Sequence, residues 1–130
     1  MHEGGCHCGN IRYRVTGNPV ARVICNCNSC RKTSGAQSVG YFMVTDDAFR
    51  WTRGRPETYA SSEGVTRGFC KTCGTSLSFA ADYLGGMIDI TIATLDDPGA
   101  FPPTAHVNDA DAIDWARHQD SLPRFERFPE

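Results

Sequence analysis

A mainly β fold of short strands is the architecture this sequence predicts, and three observations carry the prediction. Several short runs alternate apolar with polar side chains, or are rich in β-branched and aromatic residues, as half-buried strands are. Thirteen glycines and seven prolines among 130 residues punctuate those runs and leave no stretch for a long helix. All seven cysteines fall into three clusters, Cys6-His7-Cys8, Cys25-Asn26-Cys27-Asn28-Ser29-Cys30 and Cys70-Lys71-Thr72-Cys73, with the spacing of chelating groups. The length is that of a single domain, here residues 1–130 and zinc-binding. A hydrophobic content of 40% is moderate, so metal crosslinks would assist the core.

The elements follow in order. Glycines flank Cys6-His7-Cys8, and alternate residues of an extended segment point the same way, so Cys6 and Cys8 can offer two sulfurs to one ion. Ile11, Tyr13 and Val15 alternate with Arg12, Arg14 and Thr16 as a strand. Gly17-Asn18-Pro19 is a turn, and Val20–Cys25 reads as a return strand, making Ile11–Cys25 a hairpin. Arg31–Gly35 follows the central cluster as a short helical turn. Val39–Thr45 is an apolar core strand. Asp46–Phe49 is one helical turn with an acidic start, and Arg50–Thr52 is extended. Glu57–Ser61 and Val65–Cys70 are strands around Ser62-Glu63-Gly64. Cys70–Cys73 then has the form of a zinc knuckle, closed by Gly74, with Thr75–Ala80 leaving as the next strand. Asp82–Gly86 is a loop. Met87–Leu95 is the clearest strand: Ile88, Ile90 and Ile92 make one face apolar. In the tail, Pro102–Glu130, His106, Val107, Trp115, Leu122, Phe125 and Phe128 are spaced like anchors to the body, and Ala112–His118 is a short helix. About nine short strands result.

The formal charge is −2 and basic residues are scattered, which disfavours nucleic acid as a partner. No stretch approaches the roughly 20 apolar residues of a membrane span, and the N-terminus has no apolar signal region, so a cytoplasmic location is expected. A reducing compartment disfavours disulfides, and zinc is the expected occupant of the cysteine clusters.

Seven ligands divide most naturally into four and three. Cys6, Cys8, Cys70 and Cys73 would form a closed structural zinc site. Cys25, Cys27 and Cys30 would hold a second zinc with one open position, beside the positive Arg31 and Lys32. Other divisions stay open: the triplet could recruit His7, His106 or Asp114, or Cys27 and Cys30 could join Cys70 and Cys73 as a zinc ribbon. His106 reads more readily as a strand residue bonded to its neighbours. An open three-thiolate site suits a soft ligand, hence a thiol substrate held for addition to a small aldehyde, or the reverse carbon–sulfur cleavage. No general acid or base is apparent. Tyr41, Tyr59 and Arg67 are candidates for lining the site.

The string Gly5-Cys6-His7-Cys8-Gly9, the motif Cys25-x-Cys27-x-x-Cys30-Arg31-Lys32 with Gly35, and Phe69-Cys70-x-x-Cys73-Gly74 together resemble the glutathione-dependent formaldehyde-activating enzyme family. Pro103, His106-Val107, Trp115 and Asp120–Phe125 are similar to that family's C-terminal pattern. The resemblance implies an Mss4-like fold of small coiled antiparallel sheets with zinc knuckles and few helical turns. It implies two zinc ions, divided four and three as above, and a carbon–sulfur lyase that joins glutathione, a small-molecule thiol, to formaldehyde. Asn26 stands where the family often carries histidine. The alternative function is a non-catalytic zinc scaffold for a protein partner, as in other relatives of that fold.

Overall fold

Ten strands and one short α-helix organise residues 1–128, the residues described by the computed structural model. The strands are β1 (His2–Gly5), β2 (Arg12–Val15), β3 (Ala21–Cys25), β4 (Val39–Thr45), β5 (Phe49–Arg53), β6 (Glu57–Ser62), β7 (Val65–Phe69), β8 (Ser76–Ala81), β9 (Met87–Thr91) and β10 (Ala105–Val107); helix α1 is Asn28–Ser34. A three-stranded sheet has the order β1-β2-β5, and a seven-stranded sheet the order β10-β3-β4-β9-β8-β7-β6. All pairings are antiparallel except β10 with β3. This is the expected mainly β, Mss4-like class, with short 3-10 turns elsewhere.

The apolar face of β9 is where the sequence places it. Ile90 lies opposite Phe42 and Ile88 opposite Val44 on β4. Phe42, Leu77 and Ile90 are fully buried together with Tyr13 and Val15 of the small sheet, so one core joins the two sheets. The Tyr13 hydroxyl is satisfied by Thr94 Oγ1 at 2.8 Å. Gly68 marks a close approach within β7: a Cβ there would come within 2.3 Å of Ser78 Oγ and 3.2 Å of the Pro56 ring. The serine can rotate but the proline ring cannot. Gly68→Ala is therefore expected to cost about 1–3 kcal/mol in urea unfolding, as overpacked positions do. An unchanged midpoint would show that β6 and β7 absorb the methyl group.

Four sequence expectations are corrected. Ile11–Cys25 is not a hairpin: β2 pairs with β1 and β5, whereas β3 pairs with β4 and β10 in the other sheet. The turn is present, but Val20 N donates to Met43 O, so the returning chain is captured by β4. The strand from Met87 stops at Thr91, because Thr94 Oγ1 and Leu95 N fold back onto Thr91 O and Ile92 O as a 3-10 turn. The tail aromatics are not anchors: Trp115 is 61% exposed and Phe128 95%, and Leu122 and Phe125 are exposed as well. Polar bonds hold that segment, notably Arg117 to Asp109 and Gln37 to Gln119. The helix expected at Ala112–His118 is a 3-10 stretch, Asp114–Ser121.

Candidate metal centre and adjoining cavity

Two turns of similar build present the outer cysteines. Cys6 N donates to Ile11 O and Gly9 N to Cys6 O; Cys70 N donates to Thr75 O and Gly74 N to Cys70 O. Gly9 and Gly74 adopt φ of 82° and 81°, the left-handed conformation that lets each knuckle close. The sulfurs of Cys6, Cys8, Cys70 and Cys73 lie within 4.8 Å of one another. Cys6 and Cys8 are separated by 3.6 Å, and Cys8 and Cys70 by 3.8 Å. Sulfurs placed tetrahedrally at ~2.3 Å from a zinc ion would be about 3.8 Å apart, so this donor set fits such an ion. Thr75 helps hold the Cys73 thiol down at about 5.

The central cluster straddles a strand end and a helix start. Cys25 closes β3, Cys27 is the N-cap of α1, and Cys30 lies in its first turn. These three sulfurs also lie within 4.8 Å of one another. Each accepts a hydrogen bond: Cys25 Sγ from Asn108 Nδ2 (3.4 Å), Cys27 Sγ from Cys30 N (3.3 Å), and Cys30 Sγ from Arg67 Nη1 (3.6 Å) and the Tyr41 hydroxyl (3.8 Å). Donors aimed at every sulfur suit thiolates and the outer-shell pattern of metal ligands. Cys25 is lowered to about 5, first by its neighbour Cys30, while Cys25 and then burial raise Cys30 and Arg67 pulls it back down. Among the described residues the group contains no histidine or carboxylate. His106 instead sits on β10 with its Nδ1 3.2 Å from Asn26 Nδ2. The zinc-ribbon division is likewise not the one adopted. Arg31 Nη2 donates to Asn28 Oδ1.

The sheet register explains what faces this cluster. Ala21, Met43, Asp89, Phe79 and Arg67 are successive partners across β3, β4, β9, β8 and β7. Strand partners share a face, so this row lies on the side opposite Phe42 and Ile90. With Cys25, Cys30 and Tyr41 it lines a cavity of about 430 Å³. Arg67 is buried and stacks over the Phe79 ring, 4.9 Å from its centroid. Asp89 is the one carboxylate among the residues lining this cavity. Burial, and then the Cys25 charge, push it up to about 6.

That shift has a stability consequence. Between the ordinary value of 3.8 and about 6 the folded chain binds more protons than the unfolded one, so stability falls as pH rises through this window. Asp89→Asn is expected to be neutral near pH 4 and to stabilise the chain by roughly 1–2 kcal/mol above pH 7, after discounting for solvent screening. Urea unfolding at the two pH values checks it; an equal difference at both would remove the buried-charge explanation. Asp89 and Asn108 were not singled out by the sequence. The one available signal for Asp89 was an acid on the polar face of a strand whose other face is all isoleucine.

Cysteines grouped four and three on a mainly β frame, the three facing a cavity, define a small domain with two thiol clusters that could hold metal ions. The chain belongs to the glutathione-dependent formaldehyde-activating enzyme family, whose family model matches residues 1–110. A Halomonas elongata protein carrying the name "Putative glutathione-dependent formaldehyde-activating enzyme" is 34% identical over 83 residues, 58% of this chain and 53% of the relative. The match thus spans about half the length of that relative. A crystal structure of a Rhodobacter sphaeroides protein superimposes with a TM-score of 0.65 at 21% identity, covering 81% of this chain and 99% of that one, and shows the same fold. No helix among the described residues is long and apolar enough to cross a membrane.

Proposed function

We propose that this chain, as a single domain, is a zinc-dependent carbon–sulfur lyase-type enzyme acting on adducts of a glutathione-type thiol with a small aldehyde. The observation that carries the reading is the three-thiol group of Cys25, Cys27 and Cys30, lying open to a cavity while every sulfur is held by a donor. Cys6, Cys8, Cys70 and Cys73 would hold a structural zinc, and the triplet a second one. A zinc ion bound by the triplet would supply a soft Lewis-acid position that favours the thiolate form of a substrate thiol.

The protein groups have separate tasks. Arg67, buried among Tyr41, Phe79 and Cys30, offsets the negative charge of the sulfurs. In the addition, the substrate sulfur bonds to the aldehyde carbon and the carbonyl π pair moves to oxygen. The carboxyl group of Asp89 delivers a proton to that oxygen, and its carboxylate accepts it back when the carbon–sulfur bond breaks. Seven cysteines without a disulfide suit a reducing, cytoplasmic location.

Exchange spectroscopy on glutathione and carbon-13 formaldehyde tests the reading. Protein carrying two zinc ions per chain should accelerate interconversion of free aldehyde and S-hydroxymethyl adduct. No acceleration at full metal loading would overturn the enzyme assignment. A scaffold role would draw on the exposed Trp115, Leu122 and Phe125 and would leave the exchange rate at its uncatalysed value.

A further inference from the structure

Strand β10 is exposed along its whole length and pairs in parallel with β3, so apolar burial does little to hold it there. Polar bonds fix both of its ends. Thr104 donates twice to Arg22 O, from N at 2.9 Å and from Oγ1 at 3.1 Å. At the other end Val107 O accepts from Asn26 N and from Asn26 Nδ2, each at 3.1 Å. Asn26 lies between two cysteines of the triplet and is only 4% exposed, and its Nδ2 also meets Ile24 O and His106 Nδ1. A buried amide bonded in this way holds β10 in register beside the triplet. The chain then turns at Asn108, with φ 52° and ψ 40°, the one residue other than glycine with positive φ among the described residues. Asparagine tolerates this left-handed conformation better than most residues, yet its use away from glycine is uncommon. The turn ends the strand and starts the 3-10 turn Asp109–Asp111, with Asp111 N donating to Asn108 O. It leaves the Asn108 side chain lining the cavity, its Nδ2 3.4 Å from the sulfur of Cys25, 83 residues earlier in the chain.

We propose that Asn108 is a positioning residue for the triplet: β10, latched by Asn26, carries the Asn108 amide to Cys25 and fixes the direction of that sulfur relative to the other two. The inference rests on the reading that Cys25, Cys27 and Cys30 hold a metal ion. It gives the tail a task at the site although none of its residues belongs to the two cysteine groups. Asn26 takes an indirect part in the same task, through Val107 and Asn108. Outer-shell partners that orient a metal ligand are worth about 10–100-fold in metal affinity.

Two variants separate the amide from the turn. Asn108→Gly keeps the left-handed backbone, which glycine adopts freely, and removes the donor. Asn108→Asp keeps the shape and puts an acceptor where the donor was. Competition of the zinc-loaded chain against a chromogenic chelator reads the affinity of the triplet's zinc. It should fall about tenfold in Asn108→Gly and further in Asn108→Asp, while the four-thiol group keeps its zinc. In cobalt-substituted protein the thiolate-to-metal charge-transfer band of the triplet should shift in both variants; a residue that served only the turn would leave it in place. Asn26→Ala should weaken the same zinc by a similar factor, and adding Asn108→Gly to it should bring no further loss, because both act through one amide. Parent-like affinity in either Asn108 variant, or additive losses in the double variant, would overturn the proposal. Were the parent chain to hold a single zinc ion, the second-metal reading and this inference would fall together. Two zinc ions without aldehyde exchange would sink the lyase reading alone, and the chelator competition would still decide the role of Asn108.

Discussion

Cys70→Ser is expected to unfold the protein at temperatures where the parent chain is stable. Cys70 is 1% exposed and follows directly on β7, in a turn that its own N–H helps to close. Its sulfur lies 3.8 Å from that of Cys8, so the group ties the start of the chain to residue 70 and the three-stranded sheet to the β7–β8 hairpin. Structural zinc sites contribute apparent free energies of about 10–16 kcal/mol in zinc-finger peptides, as much as the ~5–15 kcal/mol net stability of a whole domain. Losing one of four thiolates removes most of that contribution and leaves a polar hydroxyl in a buried place. Thermal melts by circular dichroism should show Cys70→Ser melting like the parent chain treated with a strong chelator. A normal melt for the variant, or a parent chain indifferent to the chelator, would mean that the four-thiol group is not what holds the two sheets together.

Cys27→Ser should have the opposite profile: a retained fold with turnover reduced roughly a thousandfold or more, about 4 kcal/mol of barrier. The reason lies in the double task of Cys27. As N-cap of α1 its side chain accepts a hydrogen bond from Cys30 N. Serine is among the preferred N-cap residues, so it can keep that bond and the helix start. It cannot replace a thiolate ligand at neutral pH, because its hydroxyl stays protonated. Elemental analysis should fall from two metal ions per chain to one while the melt changes little. Retained turnover in the glutathione–formaldehyde exchange assay would move the chemistry away from this cluster.

How much of this was legible in the sequence depends on what kind of contact is asked about. The division of seven cysteines into four and three could be read because ligand spacing is local and each cluster behaves as a unit. The β6-β7-β8 run could be read because its turns are short, with Gly64 and Gly74 in left-handed conformations that mark them. The Ile11–Cys25 hairpin failed because a turn signal specifies that the chain reverses, not which strand receives it. Asp89 escaped because its meaning comes from register: it becomes a cavity residue only when Met43 and Phe79 flank it and Arg67 lies one strand further on. Tyr41 and Arg67 were candidates by residue type, and only the packing around Cys30 gave them a common target. The tail aromatics misled because apolar spacing alone does not say whether a surface is there to receive them.

The two cysteine groups also differ in when they can exist. The triplet is complete once residue 30 has been synthesised, whereas the group built on Cys6 and Cys8 must wait for Cys73. Closing that longer loop comes at a greater entropic cost and takes longer. On a growing chain the first thiols able to capture a metal are therefore those of the triplet, before the strands that will wall its cavity have been made. Asn108, the donor to Cys25, comes later still. Order of synthesis thus runs against order of burial, and the group that ends facing a cavity could take up a metal before that cavity exists.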